Sequence, residues 1–256
     1  MPTYGLDGRR ALVLCGTRGI GLGVARSLAR HGCAVTVTGT DEGRAAAVAG
    51  GLPGRGHAGL ACDFAEPAAV GDTVATTGPY DVLLLNSPGP PPGPVAGLTA
   101  DELRRAVDLV LLSVRAAAEA ALPAMRQRRW GRLIGVTSSS VAAPLTGLAA
   151  SSIARSAVQT YLKLLSESVA PYGVTVNHVI PGKIDTDRLR AVDEAVAARL
   201  GTDTEAVRAA AVAAIPLGRY GTPADVGELV AFLASDHASY ITGTGVRCDG
   251  GLIRSP

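Results

Sequence analysis

A glycine-rich turn near the N-terminus carries the clearest chemical signal in the chain. It follows an apolar segment at residues 11–15 and opens a helical one, and its members are Gly16, Thr17, Arg18, Gly19, Ile20 and Gly21. The amides of such a turn and of the helix N-terminus can hold a pyrophosphate, because their N–H groups converge where the helix dipole is positive. Glycine at 19 and 21 allows close backbone approach and tight helix packing. The turn therefore predicts a dinucleotide site.

The end of the second apolar segment, residues 34–38, indicates which dinucleotide is bound. An NAD-binding chain tends to carry an acid about 20 residues beyond the glycines, where its carboxylate accepts a hydrogen bond from the ribose 2′-hydroxyl. Gly39 stands at that place and Thr40, which we count among the cofactor-binding residues, follows it. Arg18 could pair with a 2′-phosphate. We expect NADP(H) rather than NAD(H), although Asp41 is a nearby acid.

The elements that position this turn alternate along the whole chain. Short apolar runs rich in β-branched residues lie at 11–15, 34–38, 58–62, 82–86, 132–138, 174–180 and 245–248. Helix-like segments lie at 21–30, 65–76, 101–128, 151–170 and 223–234. The alternation predicts an α/β fold over residues 1–256, a single-domain Rossmann-type doubly wound parallel sheet of about seven strands with helices on both faces.

Two helical segments have specific signals. Thr99, with Glu102 three residues later, is typical of a capping box at the start of the third helix. Residues 187–214 are rich in alanine and helical in pattern, and we expect them to form a lid over a substrate cleft. Ligands bind at the carboxyl edge of the strands in this architecture.

Composition excludes several other classes of protein. The formal net charge is +2, which favours neither a nucleic acid nor a membrane surface as partner. The four histidines lack the paired spacing of metal ligands, and the four cysteines are far apart and are expected to be reduced thiols. No apolar run has the length of a signal peptide or a membrane span, so we expect a cytoplasmic protein with a small-molecule substrate.

Further segments extend the pattern to nearly the whole chain. They are Cys62-Asp63-Phe64, Asn86-Ser87-Pro88-Gly89, Leu122-Pro123-Ala124-Met125, Trp130-Gly131-Arg132, Pro181-Gly182-Lys183-Ile184-Asp185-Thr186, and residues 215–223, 241–243 and 249–251. With the glycine-rich turn, they resemble the short-chain dehydrogenase/reductase family, most nearly its 3-oxoacyl-acyl-carrier-protein-reductase-like branch. The resemblance implies cofactor contacts from Asp63 and Phe64 near the adenine, from Asn86, and from Ile184 and Thr186 near the nicotinamide.

The chain departs from this family at the catalytic positions. Members carry a serine, a tyrosine thirteen residues later and a lysine four residues after that. The corresponding residues here are Ser138, Ser151 and Arg155, and no Tyr-x-x-x-Lys occurs elsewhere. Cys15 also replaces the first glycine of the family's turn, and Val110 its helical asparagine. A proline-rich loop at 88–94 together with Arg155 resembles a divergent subgroup usually described as reductases.

These replacements weaken proton transfer, because a serine hydroxyl is far less acidic than a phenol and losing a general acid costs roughly 10²- to 10⁴-fold in rate. Possible substitutes are a water held by Ser138 and Ser151, Arg155 as an electrostatic stabiliser or cofactor-ribose ligand, and, ranked below these, Lys183. Purely structural roles stay open. Ser138 could satisfy a backbone group, Ser151 could cap a helix, and Arg155 could pair with a carboxylate at a subunit interface, whereas Tyr161 is expected to pack.

The sequence is compatible with three functions. The first is NADP(H)-dependent reduction of a carbonyl or C=N group in a small organic or acyl substrate, in a biosynthetic pathway. The alternatives are a non-redox enzyme of the same fold, such as a cyclase, dehydratase or isomerase, and a catalytically inert binding subunit. The resemblance also implies a homo-oligomer, a tetramer or dimer. An apolar stripe fits subunit packing or an internal core equally well, and its residues are Val158, Leu162, Leu165 and Val169.

Overall fold

A computed structural model describes residues 4–254 and contains one parallel β-sheet of seven strands. The strands are β1 (Arg10–Val13), β2 (Ala34–Gly39), β3 (Ala58–Ala61), β4 (Val82–Leu85), β5 (Gly131–Val136), β6 (Val174–Pro181) and β7 (Gly245–Cys248). Their spatial order is β3-β2-β1-β4-β5-β6-β7, so the direction of winding reverses between β1 and β4. All seven predicted strands are confirmed. The reversal creates a crevice at the carboxyl edge, where ligands bind in open α/β sheets.

Helices cover both faces of the sheet. They are α1 (Gly19–Arg30), α2 (Glu42–Gly50), α3 (Pro67–Thr77), α4 (Ala100–Val107), α5 (Ser113–Arg128), α6 (Ala149–Val169), α7 (Asp187–Leu200), α8 (Thr204–Ala213) and α9 (Pro223–Ala234). Successive residues of a strand point to opposite faces. In β1, Ala11 and Val13 pack in one core with α1, α2 and α9, whereas Leu12 packs in a second core with α3, α5 and α6. The doubly wound fold is therefore confirmed.

Helix α1, which follows the glycine-rich turn, is held unusually close to α9. A Cβ atom at Gly23 would lie 2.3 Å from the carbonyl oxygen of Pro223, and one at Gly227 would lie 2.6 Å from that of Gly23. Neither position has room for a side chain without a shift of backbone. This contact fixes α1 against α9, and both helices pack in the same core as β1.

The structure corrects several predicted bounds. Helix α2 was not predicted, and the predicted helix at 101–128 is divided by a five-residue π-helical turn, Asp108–Leu112, that contains Val110. The hydroxyl of Ser113 donates to the carbonyl oxygens of Asp108 (2.9 Å) and Phe64 (3.0 Å), which holds the wider turn in place. The expected capping box of Thr99 and Glu102 is present.

The segment predicted as a helical lid forms two helices, α7 and α8, which are separated at Gly201 by a left-handed backbone with φ of +64°. The apolar stripe on α6 lies inside the chain: Val158, Leu162 and Val169 belong to the second core, and Leu165 packs against it. Of the two explanations for the stripe, the structure supports the internal core. Assembly into a tetramer or dimer stays a prediction.

Candidate cofactor and active site

The glycine-rich turn connects β1 to α1 and leaves the helix N-terminus open. Arg18 is the N-cap residue, no side chain caps the helix, and its first turn holds no acidic residue. A Cβ atom at Gly21 would lie 2.1 Å from the carbonyl oxygen of Cys15, and Gly19 has a left-handed φ of +53°. These contacts explain the glycines. The open N–H groups favour an anion such as a phosphate.

Cys15 occupies the turn in a conformation that favours glycine. Its φ is +51°, and its amide donates to the Thr38 hydroxyl at 3.2 Å. A left-handed backbone costs a non-glycine residue roughly 1–2 kcal/mol. Burial, followed by the nearby Cys62, raises the pKa of the Cys15 thiol to about 12, so the thiol is neutral at physiological pH. Cys15 therefore keeps the backbone path of a glycine turn without adding a charge.

The end of β2 has no acidic side chain free to face a ribose. A Cβ atom at Gly39 would lie 2.7 Å from the methyl carbon of Thr17, and Thr40 beside it is exposed. The carboxylate of Asp41 accepts the Arg44 amide at 2.6 Å, which caps α2. Arg18 is exposed and makes no hydrogen bond or ion pair within residues 4–254. This end of the crevice therefore offers a free cation.

The ends of β3 and β4 supply the next part of the crevice. Asp63 is exposed, and its carboxylate accepts the Ala65 amide at 2.9 Å. Phe64, the next residue, is buried in the second core. Asn86 follows β4 and is 9% exposed, and its side-chain amide has no hydrogen-bond partner among the residues described. An uncommitted amide at the switch point can bind a ribose or carboxamide group.

Ser138 and Ser151 have different local roles. Ser138 follows β5, and its oxygen accepts the Ser140 amide at 3.1 Å, so it satisfies a backbone group. Its O–H remains available as a donor. Ser151 lies inside the first turn of α6, because the helix begins at Ala149 after Leu148. The hypothesis that Ser151 caps the helix is therefore wrong. Ser151 is 6% exposed, and its hydroxyl has no partner in the described part of the chain.

Arg155 lies one helical turn after Ser151 and reaches the end of β5. Its Nη1 donates to the carbonyl oxygen of Val136 at 2.8 Å. Burial, followed by the positive charge of Arg188, lowers the pKa of Arg155 to about 10, so the guanidinium remains charged at neutral pH. Because the side chain faces the end of a central strand, its charge is available to a ligand in the crevice.

The Pro-Gly loop after β6 closes against the glycine-rich turn. Ile184 is buried and pairs with Gly221, and the Thr186 hydroxyl accepts the Leu189 amide at 3.3 Å, which caps α7. A Cβ atom at Gly19 would lie 3.4 Å from the methyl carbon of Thr186. Thr186 therefore lies against the glycine-rich turn, on the same loop as the buried Ile184.

Lys183 and Tyr161 form no hydrogen bond or ion pair with Ser138, Ser151 or Arg155 in the part of the chain that the structure describes. The Lys183 ammonium lies 5.8 Å from the ring centroid of Tyr220, which supports its low rank as a proton donor. Tyr161 packs against the second core, as expected, and its buried hydroxyl has no partner within residues 4–254.

Sequence reasoning missed Arg188, the second residue of α7. Its guanidinium donates to the carbonyl oxygens of Gly89 at 3.3 Å and Pro90 at 3.2 Å. The only signal in the sequence is a basic residue two positions after the threonine of the Pro-Gly loop. That signal does not reveal a contact with a loop almost a hundred residues away.

The proline-rich loop borders a cavity of about 530 Å³. The amide of Gly93 donates to Gly147 at 2.8 Å, and Ala149 donates back to Gly93 at 3.1 Å, so the loop is tied to the start of α6. Its apolar lining includes Pro90, Pro91, Pro92, Leu98, Leu109 and Ala150. The loop therefore shapes a cavity next to the residues that precede Ser151.

Residues 4–254 contain no group of three or more His, Cys, Asp or Glu side chains able to hold a metal, and none of their helices meets the length and hydropathy of a membrane span. The four cysteines are free thiols.

Comparisons with known proteins agree with this fold. The family described as "Enoyl-(Acyl carrier protein) reductase" matches residues 15–253. The chain is 33% identical over 259 aligned residues to the 3-oxoacyl-[acyl-carrier-protein] reductase FabG of Escherichia coli K12, covering 96% of this chain and 98% of the relative. The chain belongs to the short-chain dehydrogenase/reductase family of oxidoreductases.

Two solved structures of reductases are similar to the chain. YwfH, an NADPH-dependent reductase involved in bacilysin biosynthesis, superposes with a TM-score of 0.89 at 26% identity, covering 98% of this chain and all of the other. A variant of actinorhodin polyketide ketoreductase with NADPH superposes with a TM-score of 0.89 at 30% identity, covering 96% of this chain and 98% of the other.

Proposed function

We propose that the chain is an NADPH-dependent reductase of a carbonyl or C=N group in a small organic or acyl substrate. The observation that carries the proposal is the open glycine-rich turn at the start of α1, with the uncommitted guanidinium of Arg18 beside it. A pyrophosphate fits the turn and a 2′-phosphate fits Arg18.

The preference for NADPH rests on the residues at the end of β2. An acid that accepts the ribose 2′-hydroxyl is typical of NAD-binding chains. Gly39 leaves no carboxylate there, and Asp41 is engaged as the cap of α2. The NADPH-dependent YwfH and the ketoreductase with NADPH are relatives that support the same assignment. Asp63, Phe64, Asn86, Ile184 and Thr186 would line the remainder of the cofactor.

The reacting centre would lie between Ser138, Ser151 and Arg155. The reduced nicotinamide, when bound, supplies the hydride. Arg155 stabilises negative charge on the substrate oxygen or holds the ribose hydroxyls, because its guanidinium stays protonated. Ser138 and Ser151 hold a water that delivers the proton. Such a site suits substrates that need little acid catalysis, such as an iminium or a strongly polarised carbonyl.

The test begins with fluorescence titrations of NADPH and NADH into the purified protein. We expect NADPH to bind in the micromolar range and more tightly than NADH, and Arg18→Ala to weaken NADPH binding about tenfold, since a charge-assisted hydrogen bond contributes about 1.5–3 kcal/mol. Arg26→Ala, an exposed arginine on the same helix, is the matched control and should leave binding unchanged.

Turnover then separates the proposal from its alternatives. Loss of NADPH absorbance with a panel of ketones and cyclic imines supports the reductase. Conversion of a substrate that is indifferent to the redox state of the cofactor would favour a cyclase, dehydratase or isomerase. Activity only in the presence of a homologous partner would favour a binding subunit.

A further inference from the structure

Two arginines meet the carboxyl ends of neighbouring strands without a carboxylate partner. Arg155 donates to Val136, the last residue of β5, and Arg188 donates to Gly89 and Pro90, which follow β4. Strands β4 and β5 are adjacent in the sheet. Neither arginine forms an ion pair with any residue between 4 and 254. Both guanidinium groups therefore bond only neutral carbonyl oxygens.

The two charges also oppose one another. After burial, the charge of Arg188 is the next cause that lowers the pKa of Arg155, and the charge of Arg18 is the next cause that lowers the pKa of Arg188. Like charges at one edge disfavour the protonated state of each group. An anion placed between them would remove this penalty and would gain charge-assisted hydrogen bonds.

The acidic residues nearest in sequence to Arg188 cannot serve as that anion, because they are paired elsewhere. Asp185 pairs with Arg190 and with Arg208, the latter at 3.2 Å, and Asp187 pairs with Arg190 at 2.6 Å. Arg190 lies on the same helix as Arg188 and has two carboxylate partners. Arg188, unlike Arg190, therefore has no carboxylate partner among residues 4–254.

The surroundings favour a substrate group over a cofactor phosphate as the ligand. Pro90, whose carbonyl oxygen accepts from Arg188, lines the cavity under the proline-rich loop. The charged residues of that cavity lie on α4 and in the turn after it, and they are Glu102, Arg105 and Asp108. The cofactor phosphates already have the amides of the glycine-rich turn and Arg18.

We propose that Arg155 and Arg188 bind the carboxylate of an acidic carbonyl substrate, a 2-oxo acid or the corresponding imine. This proposal rests on the proposed function, since it names the substrate class of the same site. Two guanidinium groups match the planar carboxylate with paired N–H donors. The apolar part of the substrate would lie along Pro90, Pro91 and Leu109.

The reaction balances with the groups at hand. With the reduced nicotinamide bound, the carbonyl carbon would accept its hydride as the C=O π bond breaks. The oxygen would take a proton from a water held at Ser138 and Ser151, solvent would return a proton to that water, and a 2-hydroxy acid and the oxidised nicotinamide would leave. A carboxylate beside the carbonyl anchors the substrate through Arg155 and Arg188. This anchoring offsets part of what the missing tyrosine would supply.

The test measures binding before activity. Oxamate, a planar anionic mimic of a 2-oxo acid, and oxamide, its neutral counterpart, are titrated calorimetrically into the protein saturated with NADP⁺ or NADPH. We expect oxamate to bind and oxamide to bind at least about tenfold more weakly, the factor that corresponds to one charge-assisted hydrogen bond. Arg188→Gln should reduce oxamate binding by a similar factor, Arg188→Lys should restore part of it, and Arg190→Gln is the matched control.

The NADPH dissociation constant of each variant identifies the source of the anion. An unchanged constant in Arg188→Gln, with oxamate binding lost, supports a substrate carboxylate. If Arg188→Gln raises the NADPH dissociation constant by the same factor as the oxamate dissociation constant, Arg188 binds the cofactor phosphates and the proposal is overturned. Equal binding of oxamate and oxamide would overturn it as well.

Failure of this proposal can be told apart from failure of the proposed function. Oxamate binding without reduction of any 2-oxo acid, ketone or cyclic imine would keep the carboxylate site and reject the reductase. Reduction of neutral ketones, with no preference for phenylpyruvate over its methyl ester, would keep the reductase and reject the carboxylate site.

Discussion

Replacing Gly39 by aspartate tests how the end of β2 selects the cofactor. The new carboxylate would stand where it can accept the ribose 2′-hydroxyl of NADH and would repel a 2′-phosphate. Its Cβ atom would lie 2.7 Å from the methyl carbon of Thr17, well inside the contact distance of about 3.5–4.0 Å between carbon atoms. The double variant Gly39→Asp with Thr17→Ser removes that methyl group, so it should fold and bind better than the single variant.

The size of the effect follows from the hydrogen bonds at stake. A hydrogen bond to a charged group contributes about 1.5–3 kcal/mol, which corresponds to roughly a 10- to 100-fold change in the dissociation constant. We expect the double variant to bind NADH tighter by about this factor and NADPH weaker by a similar one. NADH, the cofactor that the double variant should prefer, has no 2′-phosphate for Arg18 to bind.

Fluorescence titration of both cofactors into the wild type and the variants measures this change. Gly50→Asp is the control, because it adds the same charge at an exposed position with open space around it. If Gly39→Asp with Thr17→Ser binds NADPH as tightly as the wild type and gains no affinity for NADH, the ribose does not lie at the end of β2, and the reasoning on Gly39 fails.

Three further predictions follow from contacts in the structure. Gly21→Ala should abolish NADPH binding in the titration, because its Cβ would lie 2.1 Å from the Cys15 carbonyl oxygen; retained binding would contradict the turn geometry. Burial lowers the pKa of His178 from 6.5 to about 4, so the unfolded state binds more protons between these values and stability falls as the pH falls through them. Urea denaturation should show that, between pH 7 and pH 5, the free energy of unfolding of His178→Asn falls by about 2 kcal/mol less than that of the wild type. An equal fall in both proteins would refute this. Arg155→Met should raise the melting temperature while lowering turnover, because it removes a cation held only by the Val136 carbonyl; a lower melting temperature would contradict the uncompensated charge.

The sequence predicts the architecture well because its signals are local. β-branched runs separated by helical segments identify the strands, and the glycine-rich turn after the first strand fixes the cofactor end. Helix α2 was missed, since its nine residues are mostly alanine and glycine and its buried residues are only Ala45 and Ala49. The π-helical turn at 108–112 depends on the contact between Ser113 and Phe64, which are 49 residues apart.

The candidate site was predictable only in part, for the same reason. The positions of Ser138, Ser151 and Arg155 follow from the resemblance to the family's serine, tyrosine and lysine spacing. Whether Ser151 caps a helix or lies within it depends on how Gly93 ties residues 147–149 to the proline-rich loop. The place of Arg188 depends on α7 meeting the loop after β4, and no local pattern encodes that contact.

The most direct test of the central claim uses NADPH deuterated at the transferable position of the nicotinamide. The protein is incubated with ketones, 2-oxo acids and cyclic imines, and each product is examined by mass spectrometry. The account predicts one deuterium on the reduced carbon of at least one product, with the yield falling in Arg155→Met. Tight NADPH binding with no deuterium in any product, while the same substrates are converted in a redox-neutral reaction, would contradict the assignment as a reductase.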